Sequence, residues 1–258
     1  MSVARALVAG RWVAVWRRNY LVWRKLAAVS IAGNIIDPLF YLLGFGLGFA
    51  TMIPEVEGVK YIAFLAGGTI CYTTMLAASF EALYSGFARM HVQRTWEGIL
   101  AAPVGLEDVV LAEWIWAASK SLLSGTAILL VAIALGLSQS WTMAFIVPLA
   151  LLIGLAFAGM GLVMTALAKS YDFFTYWFTL VLTPQMLLCG VFFPTSGLPG
   201  WVQAVASALP LTHAIALGRP LFLGQWPEAA LLHAGVLAAY GLAGFAIALA
   251  LFRRRLLA

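Results

Sequence analysis

Charge is what this sequence has least of. Only 10% of its 258 residues are charged, where a soluble globular domain carries roughly 25%, so an ordinary water-facing surface is excluded. The few bases sit in segments flanking apolar runs rather than in a separate stripe, and nothing points to a nucleic-acid partner. Cysteine is nearly missing. Cys71 and Cys189 fall inside or at the end of apolar runs, which argues against a disulfide and makes buried thiols the expectation. His213 has no carboxylate or cysteine beside it and is expected as a hydrogen-bonded structural residue; no metal site is expected.

Whole motifs are absent as well. The chain has no Gly-Lys pair, hence no phosphate-binding loop of the G-x-x-x-x-G-K-[ST] kind, and it has no H-E-x-x-H pattern. It is therefore not expected to hydrolyse ATP by that route or to act as an enzyme. The acids read as intramembrane are Asp37 and Glu81, too few for the ionisable relay of an ion-coupled carrier. Any driving machinery must come from outside the chain.

What is present is apolar length. Apolar residues make up 64% of the chain, in runs near the 20 residues a helix needs to cross a hydrocarbon core of roughly 30 Å. These runs are apolar on every face, which excludes a membrane barrel. The expected fold is all-α and integral to the membrane, with six spans at 26–49, 61–84, 111–135, 142–167, 173–192 and 229–252. The first run is too long for a signal-peptide core and is expected to be retained. Thirteen of the fifteen Lys and Arg residues then fall on one side, leaving Lys60 and Arg219 on the other, so both termini are expected to be cytoplasmic. The domain organisation is an amino-terminal segment over 1–25 followed by one membrane domain over 26–258.

Five features stand out. Residues 5–25 place Trp12, Trp16, Tyr20 and Trp23 on one side and Arg11, Arg17, Arg18, Arg24 and Lys25 on the other, the pattern of an interfacial helix. In "GNIIDPL" Asn34 and Asp37 share a helical face; Asp37 caps or kinks the span there, or borders a translocation path. Glu81 and Lys120 lie at similar depth and can pair across helices. Glycines 44, 46 and 48, and 154, 159 and 161, allow close helix approach. The proline-punctuated stretch 190–220 reads as an external re-entrant or interfacial hairpin.

Between the second and third runs lies "HVQRTWEGILAAPV". On a helix Val92, Trp96, Ile99 and Leu100 form one apolar stripe, with Arg94, Thr95 and Glu97 around it and Pro103 ending it. So short a stripe needs a host. Lipid and a protein groove are both open at this point.

Stretches spread over nearly the whole chain, among them "AVWRRNYLVWRKLAAVSIAGNIIDPLFYL", "GFARMHVQRTWEGIL", "KSYDFFTYWFTLVLTPQMLLCGVFFP" and "LPLTHAIALGRP", resemble permeases of the type-2 ABC exporter family, most closely those of nodulation-factor (lipo-oligosaccharide) export. Ala216 and Gly218 depart from the family pattern, so no polar role after His213 is carried over. The resemblance implies six spans with the re-entrant hairpin, a homodimer in a bacterial inner membrane, and two copies of a cytoplasmic ABC ATPase that bind ATP and Mg²⁺. It also implies a coupling helix over about 91–102, with Val92, Arg94, Thr95, Trp96, Glu97, Ile99 and Leu100 toward the ATPase. Asn34, Asp37, Phe174 and Trp177 are the candidates for a path for an amphiphilic, lipid-linked oligosaccharide. The aromatic crowd at 171–177 either stacks on such a substrate or forms an interfacial belt. Export of a drug or another lipid, an ion-coupled carrier and a non-transport assembly protein are the rival readings.

Overall fold

Long uninterrupted apolar runs leave the backbone no water to bond, so it satisfies itself as helix. The computed structural model describes residues 10–50, 52–138 and 140–256, apart from the side chains of Asn34, Asp37, Pro38, Tyr41, Leu47 and Ala50. In chain order its helices are α1 (Trp12–Arg24), α2 (Ala27–Ala50), α3 (Tyr61–Phe80), α4 (Thr95–Leu100), α5 (Leu106–Ala134), α6 (Ile146–Leu167), α7 (Phe173–Trp177), α8 (Thr183–Leu188), α9 (Gly200–Ala208), α10 (Pro210–Leu223) and α11 (Ala230–Leu256). One small hairpin pairs Glu55 with Lys60. Its turn residues Glu57 and Gly58 both have positive φ, as a two-residue hairpin requires.

Among the described residues, four helical stretches are long and apolar enough to cross a membrane: Tyr61–Val92, Leu106–Ala134, Trp141–Leu167 and Ala230–Leu256. The pair α9 and α10, bent by 88°, makes a fifth if taken as one span. The protein is thus a multi-pass membrane protein. The bend falls at Leu209, which is extended and precedes Pro210; proline disfavours a helical residue before it and offers no N–H to continue the ladder. Several expected boundaries move. The second run stays helical to Val92 through two widened π turns, Glu81–Ser85 and Ala88–Val92, and the third begins at Leu106, so Glu107, Asp108 and Glu113 lie inside the helix and are buried. The stretch expected at 173–192 ends as helix at Leu188.

Glycine sets how closely the helices approach. A Cβ on Gly159 would lie 2.6 Å from the Gly241 carbonyl oxygen, and one on Gly244 would lie 2.6 Å from the Gly159 carbonyl carbon. Backbone therefore meets backbone where α6 crosses α11, the small-residue packing that membrane helices favour. Gly154 lies against the Ser121 hydroxyl and the Ala118 backbone and Gly161 against the Ala82 methyl, whereas in α2 Gly46 meets Ile62 and Gly44 meets nothing within 4 Å.

At the end of the bundle away from the basic segments, Arg219 of α10 is half-buried. Its Nε donates to the Phe64 carbonyl at 3.2 Å and its guanidinium lies 3.6 Å over the Phe64 ring. The same group donates to the carbonyls of Gly190 and Val191, tying the bent pair to α3. His213 pairs Nδ1 to Nδ1 with His233 at 2.7 Å and reaches the Ser207 carbonyl at 3.0 Å, the structural role expected of it.

Candidate coupling site at the basic end of the bundle

The site grows from a defect where α3 runs on past Phe80 to Val92 through the two π turns. A π turn admits one extra residue and leaves the ladder locally wide. Across the first such turn the Thr165 hydroxyl reaches from α6 and donates to the Ala82 carbonyl at 2.8 Å. Helix then continues, so Glu81 and Arg89, eight residues apart, point to the same place. Arg89 donates to Glu81 at 2.9 Å and to Glu113 of α5 through Nε at 2.9 Å and through Nη2. All three side chains are buried or nearly so. Ions taken out of water are tolerable only when matched in this bidentate, fully bonded way.

Other elements fasten to the two carboxylates. Trp116 donates its indole N–H to Glu81 at 2.7 Å, and Lys120 lies 3.6 Å from the other Glu81 oxygen, the pairing expected from depth. Glu113 accepts from Asn19 of α1 at 3.2 Å and from the Trp96 indole of α4 at 3.4 Å. One carboxylate thus joins α1, α3, α4 and α5. Arg18 donates to Asn19 at 3.0 Å; burial and the positive charge of Arg89 hold its guanidinium below the ordinary arginine value, with Glu113 opposing them. The aromatic stripe of α1 is not turned to lipid alone. Trp16 and Trp23 both meet Trp116 edge-on, at 6.0 and 6.1 Å.

The expected coupling helix over 91–102 is shorter than its stripe implied. Arg94 has φ +50° and breaks the chain out of the preceding π turn, so α4 spans only Thr95–Leu100. Val92 stays on the α3 side and is 59% exposed. Trp96, expected to face a partner, is 1% exposed and packs on Phe252 of α11 with ring centroids 5.0 Å apart. An indole so enclosed has no surface left to offer, so it positions α4 instead. Ile99 and Leu100 are half-buried against the same core. What faces outward is a knuckle of Val92, Arg94, Glu97 and Gly98, with Arg94 3.8 Å from Glu97 and Thr95 bonded to Gln93.

Of the path candidates, Phe174 and Trp177 are buried within the chain, Phe174 edge-on to Tyr84 and Phe87. Both rings are turned inward, and Tyr171 and Tyr176 are the exposed aromatics there, at 40% and 62%. The side chains of Asn34 and Asp37 lie outside the described residues. Glu113 is the residue that sequence reasoning missed. Its signal was an acid two residues inside an apolar run, with Trp116 and Lys120 on the following turns.

Comparison with known proteins agrees with this architecture. The ABC-2 type transporter family matches residues 10–223. The chain is 50% identical over 250 residues to Nodulation protein J of Bradyrhizobium diazoefficiens, covering 96% of this chain and 95% of the relative. It is 47% identical over 246 residues to Nodulation protein J of Rhizobium meliloti, covering 95% and 94%. It is also 24% identical over 246 residues to the inner membrane transport permease YadH of Escherichia coli, covering 94% and 96%.

Proposed function

The chain belongs to the ABC-2 type transporter family as a transport permease, and we propose that it moves a lipid-linked or amphiphilic oligosaccharide outward across a bacterial inner membrane. The near-full-length likeness to Nodulation protein J supports the substrate class through the lipo-oligosaccharide resemblance of the sequence. Permeases of this family work with an ATPase partner. In this reading two copies of the permease form the membrane unit, and two cytoplasmic ATPase subunits bind ATP and Mg²⁺ beneath it.

Six spans complete the topology, with α2 and the stretch Phe173–Leu188 joining the four long helices and the bent pair α9–α10 forming the external re-entrant hairpin. The basic end is cytoplasmic, as the positive-inside distribution favours. The observation that carries the mechanism is the fastening of α4: a knuckle exposed at the basic end is held through Trp96 to Glu113, and through Glu113 to Arg89 on α3. ATP-driven closure of the ATPases against Arg94 and Glu97 then pushes on α4 as a rigid lever. Because α4 cannot move without Glu113, the push reaches α3, α5 and α1 together.

Reversing both exposed charges, Arg94→Glu with Glu97→Arg, tests the docking surface. The expected outcome is normal membrane insertion with at least about a tenfold loss of ATPase co-purification, the scale of a disrupted interface anchor. Unchanged co-purification and unchanged ATP-dependent export would remove the knuckle as the docking element.

A further inference from the structure

Between α1, α2, α3 and α5 lies a cavity of about 360 Å³ that opens outward beside the buried ion cluster. Its charged lining is Arg18, Arg89, Lys120 and Glu81, with Glu113 behind Arg89. Three cations therefore meet two carboxylates, a surplus of one positive charge. Arg89 turns its guanidinium to the two carboxylates. The surplus resides on Arg18, which among the described residues meets no carboxylate at ion-pair distance and bonds only Asn19, and on Lys120, which shares Glu81 at 3.6 Å and bonds Ser30 at 3.1 Å. A half-buried, uncompensated cation is costly, and an anion that fits the space relieves it.

The shape of the mouth says which anion. Val22 and Leu26 line the cavity and are 51% and 65% exposed, and Val29 one turn further is 76% exposed. A chamber that sets bases among tryptophan rings thus opens onto an apolar ramp. That is the outline of an amphiphile with a negative head and acyl tails, and anionic headgroups are drawn to clustered bases at the membrane surface. We propose that this cavity holds the phosphodiester of an anionic membrane lipid as a resident ligand, with its tails over Val22, Leu26 and Val29. Arg18, Lys120 and Gln93 supply the donors. The lipid bridges α1 to the cluster that fastens α4, so its occupancy sets the stiffness of the proposed lever.

The placement at the membrane surface rests on the cytoplasmic assignment of the basic end, but the test needs neither ATPase nor transport. The purified full-length chain in detergent is titrated separately with phosphatidylglycerol, phosphatidylcholine and inorganic phosphate; thermal unfolding follows stability and native mass spectrometry counts bound lipid. Phosphatidylglycerol is expected to raise the unfolding temperature and to remain as one adduct per chain, while phosphatidylcholine and phosphate leave both readings unchanged. Arg18→Gln is expected to weaken phosphatidylglycerol about tenfold, the scale of one charge-assisted hydrogen bond, and Arg18→Lys to restore most of it. Lipid-free Arg18→Gln unfolding at the wild-type temperature shows that the variant folds. Equal retention of both lipids, an equal shift by phosphate alone, or undiminished phosphatidylglycerol binding by folded Arg18→Gln overturns the proposal.

Discussion

Arg89 and Glu113 hold each other in place where neither would be tolerated alone. Deleting one member of a buried pair leaves the other charge without its partner, typically at about 3–5 kcal/mol. Arg89→Gln and Glu113→Gln are each expected to lose stability on that scale in detergent unfolding. The double variant is expected to recover part of the loss, because the two effects share one interaction. Additive losses would show that the pair is not the unit described. At Arg94, exposed and among the described residues paired only with Glu97, replacement by Ala is expected to change stability by no more than about 0.5 kcal/mol. The contrast between these sites was only partly legible in the sequence. The Glu81–Lys120 pairing follows from depth, but Glu113 sits at the edge of an apolar run, where one acid scarcely changes the average. Its partners Asn19 and Trp96 lie 94 and 17 residues away, a separation that local patterning does not span.

Element-scale packing was easier to read. Small residues in a spanning helix have few uses besides close approach, and Gly154, Gly159 and Gly161 all proved to lie at crossings. The consequence is testable within one helix. Gly244→Ala places a methyl 2.6 Å from backbone and is expected to cost about 1–3 kcal/mol by overpacking. Gly235→Ala, in the same helix with nothing within 4 Å, is expected to be neutral or to stabilise by roughly 0.5–1 kcal/mol. Equal effects on unfolding temperature would contradict the crossing. The short helix α4 was misjudged because its stripe assumed continuous helical phase from Val92 to Leu100. Arg94 in the left-handed region resets that phase, and a non-glycine residue there leaves no compositional mark. With the phase reset, Trp96 turns inward to Phe252 and Glu113, while Arg94 and Glu97 remain outside.

At the scale of the molecule, nearly all fixed positive charge gathers at one end, and the same end holds α1, α4, the ion cluster and the carboxyl-terminal turn of α11. There Arg255 donates to the carbonyls of Thr165, Ala166 and Ala168, and Arg253 to Glu107. Behind the exposed knuckle Trp96 meets Phe252 of α11 and Glu113 of α5, and Glu113 in turn accepts from Asn19 of α1, the arrangement a lever needs. Cysteines introduced at Arg94 and at Trp226 should label from opposite sides of intact inner-membrane vesicles; labelling from the same side would contradict the proposed orientation. The most direct measurement for the central claim is outward movement of a lipid-linked oligosaccharide in proteoliposomes containing this permease and its partner ATPase. The account predicts a rate at least about tenfold above that without ATP, lost when Arg94 and Glu97 are reversed together. Movement that proceeds equally without ATP, or only with an ion gradient, would contradict it.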